Sequence, residues 1–165
     1  MFTLRCTQKL LKRLGDPVTG DLAPSTTILG DWYANVYSLP FRGKSVVMFM
    51  NEPTRLVVLV QGRGGRQTIP AFRQRTARLL AHLGWAQHYI AREIEAMEEL
   101  QLAKTASRSI LGSMNDVNRH VQIIAERAGS AEAVDWEGEE ILMTTRLHGP
   151  LDYVHPEDIA KALLE

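Results

Sequence analysis

The chain has 165 residues, 45% of them hydrophobic, which is enough for one domain with a substantial core. Its 19 Lys and Arg balance 19 Asp and Glu, so net charge supplies no bulk attraction for nucleic acid. The single cysteine, Cys6, excludes an intramolecular disulfide, and no apolar run is long enough for a membrane helix.

The charges are uneven along the chain. Residues 1–78 carry 12 Lys and Arg against 4 Asp and Glu, and the remainder carries 7 against 15. In one domain these halves are expected to interleave and cancel, the other outcome being a dipolar surface. Arg5, Lys9, Lys12 and Arg13 interrupt the N-terminus, which does not read as a secretory signal, so the expectation is a cytoplasmic protein.

Phe2 to Cys6 predicts a short strand. Thr7 then caps a helix over Gln8 to Leu14, stopped by Gly15. Pro17, Gly20 and Pro24 make the next stretch a loop. An antiparallel meander follows: Trp32 to Leu39, a turn at Pro40 to Gly43, Ser45 to Met50, a turn at Asn51 to Thr54, and Leu56 to Val60. The apolar run of the middle strand predicts cover on both faces. Trp32 and Tyr33 read as core rather than as a ligand platform. Arg63-Gly64-Gly65-Arg66 reads as an ordinary basic surface loop, although Arg73, Arg75 and Arg78 follow it closely.

Phe72, Leu79, Leu80 and Leu83, after Pro70, form a helical stripe ending at Gly84. Trp85 to Glu99 continues as the second arm of a helical hairpin, with Glu93, Glu95, Glu98 and Glu99 as a solvated face. Leu100 to Leu102 is a brief strand feeding the most clearly patterned helix. There Ile110, Met114, Val117, Val121, Ile124 and Ala128 fall on one stripe, with Ser107 or Ser109 as the cap and Gly129 as the stop. Ile123 lies off the stripe, which predicts a covering layer, internal or from a partner. Gly112 costs about 1 kcal/mol relative to Ala inside a helix, a cost that close backbone approach would explain. Glu132 to Glu140 reads as acidic and irregular, Ile141 to Arg146 as a strand, and Pro156 onward as a terminal helix.

No sequence pattern supports a metal site, a cofactor or a catalytic constellation. His82, His88, His120, His148 and His155 form no metal-ligand pair, no nucleophile elbow is present, and Cys6 reads as a packed thiol. The chemistry-bearing stretch is the strand-to-helix junction of Lys104, Thr105, Ser107, Arg108 and Ser109. Free amides, the positive helix end, two cations and three hydroxyls favour a phosphate or carboxylate there. Asn115, Asp116 and His120 on the same helix are secondary candidates, the last two as acid/base groups in an enzymatic reading.

Two signatures resemble a small bacterial family catalogued as a domain of unknown function. One is Cys6, Thr7, Gln8, Lys9, Leu10 and Leu11. The other is Lys104, Thr105, Arg108, Ser109, Gly112 and Asn115, with Asn51-Glu52 between them. Ser107 stands where that pattern has Asn or Asp. The resemblance runs from the N-terminus to about residue 125 and implies a soluble bacterial protein with no assigned activity.

The combined expectation is a single α+β domain over residues 1–165: an antiparallel meander with helices packed mainly on one side. The acidic segment from about residue 130 lies outside its best-patterned part. Functionally, a regulatory or binding module for a protein partner or small anionic ligand leads. A small enzyme on a phosphorylated or nucleic-acid substrate comes second, and a structural homo-oligomer third. Nucleic acid alone is not favoured as a partner, and a membrane is not expected.

Overall fold

The computed structural model describes residues 1–146 and 148–165, without the side chain of Pro150. Five strands form one sheet: β1 (Phe2–Cys6), β2 (Trp32–Ser38), β3 (Ser45–Asn51), β4 (Val57–Gln61) and β5 (Leu100–Lys104). The spatial order is β4-β3-β2-β1-β5. The meander expected from sequence is present, with β2, β3 and β4 paired antiparallel in register Tyr33↔Met50 and Met48↔Leu59. The sheet as a whole is nevertheless mixed, because β1 lies parallel to both β2 and β5. Parallel neighbours need a crossover. Helix α1 (Gln8–Leu14) supplies one, and α2 (Thr68–His82) with α3 (Gln87–Ala96) lies in the other.

Alternation along the strands builds two cores, so helices cover both faces and not mainly one. Phe2, Leu4, Trp32, Val47, Phe49 and Val58 face α1, α2 and α3. There Phe72 of α2 stacks on Phe49 with centroids 4.1 Å apart and meets the edge of Trp32 at 4.9 Å. Tyr33, Val46, Met48, Met50, Val57 and Leu59 face α4 (Arg108–Ala128) and α5 (Trp136–Met143). Between Gly129 and α5, Ala131 and Val134 join this second core.

Helix α5 corrects the sequence reading of an irregular acidic stretch followed by a strand at Ile141 to Arg146. Asp135 accepts from the Gly138 amide at 3.0 Å, and Glu137 and Glu139 suit the positive end of the first turn. Trp136, Glu140 and Met143 point inward at helical spacing. Glu140 accepts from the backbone N–H of Leu59 at 2.7 Å, which satisfies a donor on edge strand β4. The terminal helix α6 (Pro156–Ala162) forms as expected and contributes Ala160 to the first core.

The loop between α1 and β2 is fixed by its backbone. Thr19 donates to the Leu102 carbonyl at 2.8 Å, and Ile28 and Leu29 donate to Glu93 at 2.5 and 3.3 Å. Glu93 is therefore a buried structural carboxylate and not part of a solvated face. Among the described residues, no helix is long and apolar enough to cross a membrane.

Candidate functional site

Helix α4 starts beside the end of the sheet where β2 begins and β3 ends. Its cap is Ser107, whose hydroxyl accepts from the Ile110 amide at 3.3 Å. Ile110, Met114, Val117 and Val121 are buried on the sheet, as the stripe predicted. That seating turns Arg108, Ser109, Gly112, Ser113 and Asp116 to one side, where they line a cleft of about 260 Å³. The opposite wall is Arg146, His148 and Gly149.

His148 enters this wall from the segment after α5. Its carbonyl accepts from the amides of Leu151 and Tyr153 at 3.0 and 3.1 Å, which holds its backbone in place. The residue is only 5% exposed, and its Nε2 has no hydrogen-bond partner among the described residues. Burial lowers its pKa to about 4, Arg146 and Arg55 push in the same direction, and Asp116 opposes them. The imidazole is therefore neutral at pH 7, with a polar atom left unsatisfied in the wall of a cation-lined cleft.

Arg55, on the β3–β4 turn, is the second of the two arginines whose charge acts on His148. Asn51 organises that turn: its amide donates to the carbonyls of Leu29 and Asp31, and its oxygen accepts from the Thr54 amide and hydroxyl. Arg55 is buried at a φ of +62°, a conformation costly for a residue with a Cβ. Its Nη1 donates to the Glu52 carbonyl, whereas its Nε has no partner among the described residues. Burial is the main reason its pKa falls, with Glu52 and Tyr33 opposing. Tyr33 is itself buried, which raises its phenol pKa against the pull of Arg5 and the amides of Ala106 and Ser107.

The sequence candidates divide. Arg108, Ser109 and Asp116 meet in the cleft, and Ser107 serves as the cap. Lys104, exposed, and Thr105, half-buried, lie on the approach to the helix and are not part of the cleft lining. Asn115 accepts instead from the Tyr37 hydroxyl at 3.3 Å. His120 faces Glu139 at 3.2 Å, away from the cleft. Asp116 lies 3.3 Å from Arg119, an exposed pair worth little. Cys6 is a packed thiol, its pKa pushed up to about 12 by burial.

Arg146 and His148 of the lining, and Arg55, whose charge acts on His148, were missed, because tertiary structure alone brings them to bear on the site. The Asn51-Glu52-Pro53-Thr54 turn was visible as a turn but carried no sign of what it would present. Gly112 also differs from expectation. A Cβ built there meets nothing within 4 Å, so close packing does not require the glycine, and the open space is the cleft itself.

The family model for the domain of unknown function DUF6933 matches residues 3–159, nearly the whole chain. The chain belongs to this family. The match runs through α5 and into α6, well past residue 125 where the two signatures stop, so the DUF6933 region includes both walls of the cleft. No curated protein and no solved structure matches the chain.

Proposed function

We propose that this DUF6933 domain is a binding module for a small ligand bearing a phosphate, sulfate or carboxylate group, held where α4 begins. The observation that carries this reading is the unpartnered Nε2 of buried His148 in the cleft wall. Leaving a buried polar atom unpaired costs about 1–3 kcal/mol, a cost that a bound ligand would relieve. Arg108 and Arg146 supply charge and paired donors on either side, and the helix end adds its macrodipole.

The size of the cleft narrows the ligand. At about 260 Å³ it falls below the usual range for drug-sized molecules, so it suits a small anion or small metabolite and not an entire nucleotide. Asp116 on the same wall favours a ligand that also carries a donor, such as a hydroxyl or ammonium group. Binding, and not catalysis, is the better account. Asp116 is exposed and beside Arg119, and His120 is beside Glu139, so neither proposed acid/base group is poised for proton transfer in the cleft.

The test is thermal unfolding with sulfate, phosphate and small phosphorylated or carboxylated metabolites at constant ionic strength. At ten times its dissociation constant a ligand stabilises by about 1.4 kcal/mol, a rise of about 3–5 °C for a domain of this size. Arg108→Ala should remove most of that rise while leaving the anion-free melting temperature unchanged. A wild type indifferent to every anion tested would sink the proposal.

A further inference from the structure

At the other end of the sheet, the β2–β3 turn and the β4–α2 loop stand opposite each other. A cavity of about 840 Å³ lies between them, with Arg13, Arg42, Lys44 and Arg63 around it and Leu39, Pro40 and Phe41 as its apolar part. A second hollow of about 430 Å³ shares Arg42 to Ser45 and Arg63 with the first and continues to Gln61 and Gly62. The two hollows adjoin across these shared residues, so cations line both of them. The Arg63-Gly64-Gly65-Arg66 stretch is firmly placed: a Cβ on Gly64 would come within 2.8 Å of Leu10, and Arg13 donates to the Arg63 carbonyl at 2.6 Å. Arg63 in turn lies over Gly43, its Nη2 3.9 Å from where a Cβ would sit.

The positive charge of the N-terminal half is thus concentrated here and only partly cancelled. Glu132 pairs with Lys44, and Asp16 pairs with Arg66. Among the described residues Arg13, Arg42 and Arg63 have no carboxylate partner, and exposed Lys9 and Lys12 extend the positive surface along α1. Half-buried Phe41 offers a ring beside these cations.

We infer that this groove binds the phosphodiester backbone of single-stranded nucleic acid. Guanidinium forks match phosphate oxygens two at a time, and an aromatic ring in a basic channel provides a stacking surface for a base. Two adjoining hollows of about 840 and 430 Å³ with cations in both linings offer room for successive units of a strand, more than one compact anion needs. The net charge of zero, which spoke against this partner, is an average over the whole molecule. The two halves cancel at Lys44–Glu132, Arg75–Glu140 and Arg78–Glu137, but not at Arg13, Arg42 and Arg63 among the described residues.

Fluorescence anisotropy with labelled 12-nucleotide RNA and DNA, across a salt series, tests the inference. With three unpaired guanidinium groups engaged, the logarithm of affinity should fall with the logarithm of salt at a slope of about −2. Arg42→Glu with Arg63→Glu should weaken binding at least tenfold at unchanged melting temperature, whereas Arg108→Ala should leave it intact. The inference is overturned if the wild type shows no salt-dependent binding, or if the double variant binds as well as the wild type. A mononucleotide that competes as effectively as the 12-mer, or polyglutamate that does so, would likewise overturn it.

Discussion

Glu93 and His148 are both buried, yet they stand in opposite positions. The Glu93 carboxylate accepts two backbone N–H groups from the loop before β2, and those bonds offset the burial that raises its pKa. His148 is comparably enclosed, but its Nε2 meets no partner. Five buried side-chain nitrogens lack a hydrogen bond among the described residues, and their positions decide what they mean. Two are indole nitrogens of Trp32 and Trp85 on the first core. Arg75 Nη2 sits 2.9 Å from Glu140, off hydrogen-bond geometry but electrostatically paired. The remaining two are on Arg55 and His148, and the charge of the first acts on the second. A polar group that completes its bonds within the fold is part of the scaffold, and one that does not, in the wall of a cleft, is where the proposed ligand would act.

The largest effect should come from the satisfied partner. Glu93→Leu leaves the partly buried Ile28 amide and the buried Leu29 amide unpaired, which should cost about 2–4 kcal/mol and lower the melting temperature by about 5–15 °C. Chemical denaturation measures this directly. Little or no loss would mean that the loop finds other partners, and the contrast with His148 would fail.

His148→Leu should behave the other way. An apolar residue of similar size removes an unsatisfied group, so stability at pH 7 should hold or rise, and the anion-dependent shift should fall. The pH dependence has a defined sign. The folded pKa of about 4 lies below the ordinary 6.5, so the wild type loses stability as pH falls from 6.5 toward 4. Across that window the variant should gain on the wild type by up to about 1.4 kcal/mol per pH unit. A variant that is strongly destabilised at pH 7 would show instead that the imidazole is a structural part of the core.

A smaller effect is expected at Gly112. With nothing within 4 Å of a Cβ, Gly112→Ala should stabilise α4 by up to about 1 kcal/mol, while the added methyl enters the cleft and weakens anion binding. Stabilisation with undiminished binding would show that the ligand does not approach this side of the helix.

Local patterns account for how much of this was legible. The meander and α4 were readable because alternation and helical spacing repeat over many residues. The parallel placement of β1 between β2 and β5 was not, since strand order depends on pairings between Phe2 and Leu100 and between Leu4 and Trp32. The run Ile141-Leu142-Met143-Thr144 resembles a strand when read alone. The cap at Asp135, six residues earlier, and the buried contacts of Trp136 and Glu140 make it helical. Ile123, expected to lie under a covering layer from this chain or from a partner, is 48% exposed on the chain itself. For the site, Arg108, Ser109 and Asp116 were accessible because they share one helix face. Arg55, Arg146 and His148 arrive from two distant turns, and no spacing rule relates them.

The most direct test of the anion cleft is heteronuclear NMR of the histidine side chains during a sulfate titration between pH 4 and 7. Sulfate keeps its charge throughout, so any coupling to pH belongs to the protein. A bound dianion would oppose the burial and the neighbouring arginines that hold His148 near 4. The account predicts a saturable change in the His148 nitrogen shifts and a titration midpoint that rises with sulfate. His148 signals that ignore sulfate, with an unchanged midpoint, would contradict it.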